Sequence, residues 1–409
     1  MFAGPFSDVC GALRLLPETC ESWATGWEES CASYPSPGPP FLRAPFVSDA
    51  CRLAGMGGDA SAALQDARAH IAGHPLLSRL AWHLSHSLRP AYPASGIALR
   101  SWPMLPEGVC RGSEFLTAFA LLGGLDRLRA FYRERRIPES VLIRTLSDFE
   151  LWLRVHREKT GRWGMSEHGW LSQHFSGNLF RIGRLQFQFG AYRYPFVTYR
   201  EGVSGESVVL AEAGTALNAE GFPVDGGGVV TASLTETDGA VRGHRVTSKG
   251  RVLLEPSAVA GEGWECFLRR GDPVLNLHIP AGDPMPVAAC GAAFRQAIEV
   301  FRTSFPEYRW RAFVCGSWFL DPQLQEYLPA TSNLVSVQRT AILHPISARG
   351  SDSIIARVFG FGVNGKDDLE HAPQETTLQR AVVSHFRSGR VWRGGACIVF
   401  PEDVAGWTS

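Results

Sequence analysis

The stretch from Gly271 to Pro329 constrains the fold of this chain more than any other. VLNLHI, from Val274 to Ile279, is a run of strand formers bounded by Asp272-Pro273 and by the turn residues Pro280-Ala281-Gly282. Phe294, Ala297, Ile298, Phe301 and Phe305 then recur at helical spacing, with Arg295, Gln296, Glu299 and Arg302 between them. That pattern predicts a helix with one apolar face. RAFVC is a second apolar strand, and Pro322 opens a short second helix that ends near Pro329. Strand, turn, helix and strand in so few residues predict two parallel strands joined by a helix packed on their sheet. Such a crossover presents main-chain N–H groups at the helix start, where anions bind.

The 409 residues are enough for two or three domains with cores of their own. Lysine plus arginine and aspartate plus glutamate both total 40, so no basic surface for nucleic acid is indicated and a small-molecule or protein partner is favoured. Nine cysteines stand singly without CxxC spacing, which predicts free thiols in a reducing compartment. The first residues lack a basic start and a long apolar run, and no apolar segment spans a bilayer, so a soluble cytoplasmic protein is expected.

Residues 1–48 are rich in Pro, Gly and Ser, with PSPGPP at Pro35 to Pro40 reading as a linker, and ordered helix is expected only later. Helices are expected over Asp59 to His86 with a break at Gly73-His74-Pro75, over Ser113 to Arg136, and over Glu139 to about His156. The texture changes at Gly161. Arg184, Gln186 and Gln188 alternate with Leu185, Phe187 and Phe189, the pattern of a strand with one wet and one dry face. VVLAEA, VVTASLT and RVLLEP continue the strand signals. After the central unit, NLVSVQRTAILHPI and SIIARVFGFG are expected as neighbouring strands, followed by a helix over Gln379 to Phe386 and a last strand at GACIVF. The reading is a helical domain over 1–160, then a mixed, twisted sheet flanked by helices over 161–409.

His70, His74, His83 and His86 have helical spacing, yet no Cys or carboxylate joins them in a ligand order, so no metal is expected. GVSGES at Gly202 lacks the second glycine of a nucleophile elbow. Gly360 to Gly365 fits GxGxxG but lacks the acidic residue about twenty positions on, and is taken as a glycine turn between strands. The turn from Pro280 to Met285 is the better anion site because it joins strand to helix. Asp283 is expected to cap that helix, with N–H groups near Gly282 and the Arg295 charge facing the anion.

HFSGNLFRIGRLQFQFG from His174, DPVLNLHIPAGDPM from Asp272, FPEYRWRAFVCGSWFLDPQL from Phe305 and PQETTLQRAVVSHFRSG from Pro373 together resemble the bacterial two-domain acyltransferases, a helical N-terminal domain followed by a domain of the GNAT superfamily. Size and layout are similar to the aminoglycoside 2'-N-acetyltransferases that inactivate kasugamycin. The resemblance implies acetyl-coenzyme A (acetyl-CoA) as donor, a small-molecule amine as acceptor and direct transfer without a covalent enzyme intermediate. It implies Ile279, Ala281, Gly282, Met285 and Arg295 as cofactor contacts, with the pyrophosphate on the Gly282 turn or on RxxGxG from Arg357. His278 is the expected base, with Tyr327 or Ser317 as acid. His174, Arg184, Gln186, Trp170, Trp318 and Asp321 are expected to line a sugar-like acceptor between the two domains. The usual glycine-rich pyrophosphate loop is replaced here by PAGDPM. A catalytically degenerate ligand-binding or regulatory module on the same fold is therefore the alternative function, and a nucleotide-dependent oxidoreductase built on Gly360 is a third.

Overall fold

A computed structural model describes residues 4–92, 102–106, 108–237, 240–260, 263–347, 351–363 and 365–408. Two compact units follow one another along the chain, Met1–Ile182 and Gly183–Ser409, so the change of texture at Gly161 falls inside the first.

The first unit is helical and begins earlier than expected. Helices α1 (Phe6–Leu13), α2 (Pro17–Trp23) and α3 (Trp27–Ala32) precede the proline run. Phe6, Val9, Leu13 and Trp27 are all buried, so a few apolar residues at helical spacing outweigh the polar composition around them. Cys10 and Cys20 join α1 to α2 through a disulfide, against the expectation of free thiols, and the other seven cysteines are free. Helices α4 (Ala44–Leu53), α5 (Gly58–Gly73) and α6 (Pro75–Ser85) follow, and the predicted break at His74 holds. There Pro75 opens α6, and His74 Nδ1 accepts the Leu77 N–H at 3.3 Å.

Each of the next two predicted helices is two. α7 (Leu116–Leu122) and α8 (Leu125–Glu134) part at Gly123, where a Cβ would sit 2.8 Å from the Phe41 ring. α9 (Glu139–Leu146) and α10 (Asp148–Thr160) part at Ser147. α11 (His168–Phe175) and strand β1 (Leu179–Ile182) close the unit.

The second unit opens with β2 (Leu185–Ala191), continues through β3 (Phe196–Glu201), β4 (Ser207–Ala211), β5 (Ala216–Leu217), β6 (Val230–Thr231), β7 (Leu234–Thr237), β8 (Ala240–Gly243), β9 (Ser257–Ala260) and β10 (Trp264–Leu268), and reaches β11 (Pro273–His278). Helix α12 (Val287–Ser304) leads to β12 (Phe313–Ser317), with α13 (Asn333–Thr340), β13 (Ile342–Pro345), α14 (Ser351–Phe359), α15 (Thr377–Arg387) and β14 (Gly395–Val399) after it. The main sheet of this unit runs β2, β11, β12, β14, β13. β11 and β12 are parallel, as the crossover predicts, and the other neighbours are antiparallel.

The dry face of β2 packs on α12, with Phe187 6.3 Å from Phe294 and Phe189 5.4 Å from Phe301 between ring centroids. The opposite face, through Val274, Val314, Ile398 and Phe400, shares a core with Phe196, Val209, Leu217 and Val252 of the β3 to β10 segment.

Three strand expectations fail. RVLLEP makes a single bridge at Val252 with Val246. NLVSVQRT forms α13 because Val335 and Gln338, three apart, are both buried, which overrides the strand preference of its β-branched residues. SIIARVF forms α14 and the glycines at 360 and 362 a 3₁₀ turn after it, so the glycine turn expected between strands follows a helix instead; Asn364 of that motif lies outside the described residues. No described helix is long and apolar enough to cross a membrane.

Candidate functional site

The parallel ladder between β11 and β12 is two residue pairs long, Leu275 with Phe313 and Asn276 with Val314. In register it would continue through Leu277 with Cys315 and His278 with Gly316. Instead Leu277 and His278 pair with Phe187 and Gln186 of β2, while Cys315, Gly316 and Ser317 pair with Cys397, Ala396 and Gly395 of β14. Each strand keeps its outer neighbour and loses its inner one, which opens a gap at their carboxyl ends. By ladder geometry the next N–H groups on the two lips, those of Ile279 and Gly316, face that gap.

Alternation assigns the side chains. Phe187, Leu277, Phe313 and Cys315 face α12, so Gln186, Gln188, Asn276, His278 and Gly316 share the other face. The predicted wet face of β2 is thus polar but only partly wet: Gln186 is 1% exposed, while Arg184 and Gln188 are half-buried. Half-buried His278 places Nε2 2.9 Å from Gln188 Oε1. With that oxygen as acceptor, Nε2 carries the hydrogen and the basic lone pair is on Nδ1.

Arg184 holds the turn after β11. Its Nη1 donates to the Pro280 carbonyl at 2.9 Å and its Nε to the Pro284 carbonyl at 3.1 Å, so this guanidinium clamps the loop between Pro280 and Pro284. Gly282 sits in that loop at φ +113°, a region closed to most side chains, with no atom within 4 Å of where a Cβ would stand. Helix α12 starts after Pro286 with no side-chain cap and no acidic residue in its first turn. The expectation that Asp283 caps it is therefore wrong: Asp283 is exposed, four residues before the helix, because Pro286 takes the cap position.

Arg295 is exposed and eight residues into α12, about 12 Å along the axis from its first turn, too far in to face an anion there. Ala281 and Gly282 are exposed, Ile279 is half-buried, and Met285 is buried in the core.

On the other lip, Ser317 ends β12 and Trp318 follows it, both half-buried. Trp318 is fixed through its carbonyl, which accepts from Trp392 Nε1 at 3.2 Å. Asp321, expected to meet substrate, is 1% exposed and belongs to the fold. Its carboxylate accepts from the Gln323 N–H at 3.0 Å, Gln323 Nε2 at 2.8 Å and the Arg393 N–H at 2.8 Å, while burial pushes its pKa up. The Tyr327 hydroxyl lies 3.1 Å from His385 Nδ1 and accepts from Arg390 Nη1 at 3.3 Å. Burial pushes the His385 pKa down, and the Arg390 hydrogen bond holds Glu326 below the usual carboxylate range.

His174 and Trp170 sit on α11 in the first unit. His174 is fully buried, with Nε2 3.3 Å from the Asp148 carboxylate and Nδ1 3.3 Å from the Trp170 carbonyl. Asp148, 2% exposed, also takes Arg181 at 3.0 Å, so His174 belongs to a buried polar cluster built around that carboxylate. Half-buried Trp170 lies edge-on to His174 at 5.6 Å. Sequence reasoning did not single out the aromatic run after β2: Tyr192, Tyr194 and Phe196 gather around His344, and the repeat of rings in AYRYPF is the signal that was available. Among the described residues no three His, Cys, Asp or Glu side chains are placed to hold a metal ion.

Comparison with known proteins supplies the remaining findings. A family model described as a GNAT-like C-terminal domain matches residues 179–399, and one described as an N-acyltransferase N-terminal domain matches residues 45–177. A solved acyltransferase in complex with decanoyl-CoA is 25% identical, with 97% of this chain and 99% of that chain covered at a TM-score of 0.66. An acyltransferase in complex with decanoyl-CoA and teicoplanin, and an acyltransferase mutant in complex with octanoyl-CoA, are each 24% identical over the same shares at a TM-score of 0.67. A search of curated proteins finds no match.

Proposed function

Because this chain belongs to the family with the GNAT-like C-terminal domain and is an acyl-CoA-dependent N-acyltransferase, we propose that it acylates an amine on a small, sugar-bearing acceptor by direct transfer in the β11/β12 gap. The observation that carries this reading is the divergence of the two strands after Asn276 and Val314, with His278 on one lip. A thioester arm lying in the gap meets the N–H groups of Ile279 and Gly316, which hold the carbonyl oxygen as charge develops on it. The N–H groups that open α12 receive the pyrophosphate, in the loop that Arg184 clamps. His278 takes the proton from the attacking nitrogen through Nδ1. The acceptor meets the polar face beside His278, where Gln188 and Asn276 are half-buried.

Acetyl-CoA with kasugamycin is the pair the sequence suggests. The similar solved acyltransferases hold octanoyl-CoA, decanoyl-CoA and teicoplanin, which favours a medium-chain donor and a glycopeptide as the first pair to assay. The test measures thiol release with acetyl-, octanoyl- and decanoyl-CoA against teicoplanin and kasugamycin, with the mass of the product confirming the acyl group added. Turnover with one of these pairs is expected. CoA binding without thiol release from any amine would overturn the reading in favour of a ligand-binding module.

Arg184→Ala is expected to raise KM for acyl-CoA about tenfold with kcat within about threefold, the loss of about 1.4 kcal/mol of loop anchoring from two charge-assisted hydrogen bonds. Steady-state kinetics with varied acyl-CoA reads this out. An unchanged KM would remove the Pro280–Pro284 loop as the pyrophosphate cradle.

A further inference from the structure

Extended by two rungs, the parallel register sets Gly316 opposite His278 across the gap, and both residues belong to the face away from α12. Gly316 is exposed, and the space its Cβ would occupy is taken: a side chain there would collide with the hydroxyl oxygen of Tyr194. Tyr194 lies in the connection from β2 to β3, and its ring is half-buried against the core beneath this face. The ring edge meets Tyr192 at 5.6 Å and His344 at 4.9 Å, with the Arg193 guanidinium 5.4 Å from its centroid. A phenol is therefore gripped by its ring while its oxygen stands at the mouth of the gap, on the lip facing the imidazole.

The two acids expected from residue order are placed differently. Ser317 follows Cys315 in alternation and faces α12. The Tyr327 hydroxyl is engaged by His385 and Arg390.

Building on the acyl-transfer reading, we propose that Tyr194 is the catalytic proton donor to the leaving thiolate, across the gap from His278. The amine nitrogen attacks the thioester carbonyl and forms the C–N bond, and His278 accepts the proton that nitrogen sheds. As the tetrahedral adduct collapses the C–S bond breaks with its electron pair going to sulfur. Tyr194 O–H passes its proton to that sulfur, giving the free thiol of CoA. The phenolate regains a proton from solvent as His278 returns one, so the enzyme ends as it began. Burial raises the Tyr194 pKa above its ordinary value, with the Arg193 charge opposing part of that shift, so the phenol is still protonated and able to donate when the C–S bond breaks.

Tyr194→Phe keeps the packed ring and removes only the hydroxyl, and two measurements test it on the full chain. With decanoyl-CoA and teicoplanin, or acetyl-CoA and kasugamycin, kcat is expected to fall about 10²-fold with KM for acyl-CoA within about threefold. In the binary complex with CoA, titrated by the ultraviolet absorbance of the bound thiolate, the wild-type thiol is expected to ionise about tenfold more readily than in the variant, because the phenol donates to the thiolate. Gly316→Ala, whose methyl displaces the hydroxyl, is expected to reproduce both changes. Bound CoA whose thiol titrates identically in wild type and Tyr194→Phe would overturn this assignment alone. A wild-type chain that binds no CoA would overturn the acyl-transfer reading with it.

Discussion

His278→Ala is expected to lower kcat between about 10²- and 10³-fold at neutral pH, with KM for acyl-CoA within about threefold. The reason is positional. β11 carries His278 past the last rung shared with β12, so the imidazole stands at the opening while its backbone stays pinned to Gln186 of β2. Gln188, bonded at 2.9 Å, orients the ring. A pH–rate profile separates a base from a structural residue: the deficit of the variant should shrink as pH rises and the amine loses its proton to solvent unaided. Nearly full activity of His278→Ala at neutral pH would end the assignment.

Acidification is expected to destabilise the second unit through His344. This ring is 1% exposed. Nδ1 donates to the Pro345 carbonyl at 3.1 Å and Nε2 accepts from the Tyr192 hydroxyl at 3.1 Å, an arrangement that requires the neutral imidazole. Burial lowers its pKa from 6.5 to about 4, with the Pro345 hydrogen bond opposing part of that shift. The unfolded chain therefore binds this proton at a higher pH than the folded one. The stability contributed is fully present above pH 6.5 and is lost as pH falls from there through about 4. At about 1.4 kcal/mol per pH unit, the interval between 6.5 and about 4 amounts to about 3.5 kcal/mol. Urea unfolding of wild type and His344→Gln across that interval isolates the effect, since every other titrating group is common to both. Parallel acid dependence in the two proteins would refute it.

The consequences of these two histidines differ because of packing, although nothing in their local sequence separates them. LNLHIP and AILHPI both put a histidine near the end of a strand ahead of a proline. Only the ladder shows that β11 ends beside an opening, and that β13 ends under Tyr192, Tyr194 and Phe196. Asp321 and His174 teach the same lesson in reverse. Each has the chemistry of a substrate contact, and each is sealed in a hydrogen-bonded cluster whose partners, Arg393 for one and Asp148 for the other, are 72 and 26 residues away in the chain.

Arg184 was legible as a polar residue near the site. Its actual task, holding carbonyls about 100 residues downstream, depends on β2 and β11 being neighbours.

What the amino-acid sequence determined by itself was local and periodic: the strand, helix and strand of the crossover, the dry face of β2, the proline-opened helices, and motifs specific enough to name an acyltransferase family. These features follow from side-chain spacing against periods of 3.6 and 2.0 and from the fixed geometry of proline, which act within a few residues. Tertiary structure alone decided where the parallel ladder stops, which polar groups are buried with partners, that α13 and α14 are helices, and that the Tyr194 hydroxyl lies against Gly316. Those outcomes depend on contacts between residues far apart in the chain, and a hydrogen bond or a collision at Gly316 has no counterpart in the order of residues until the sheet brings its two sides together.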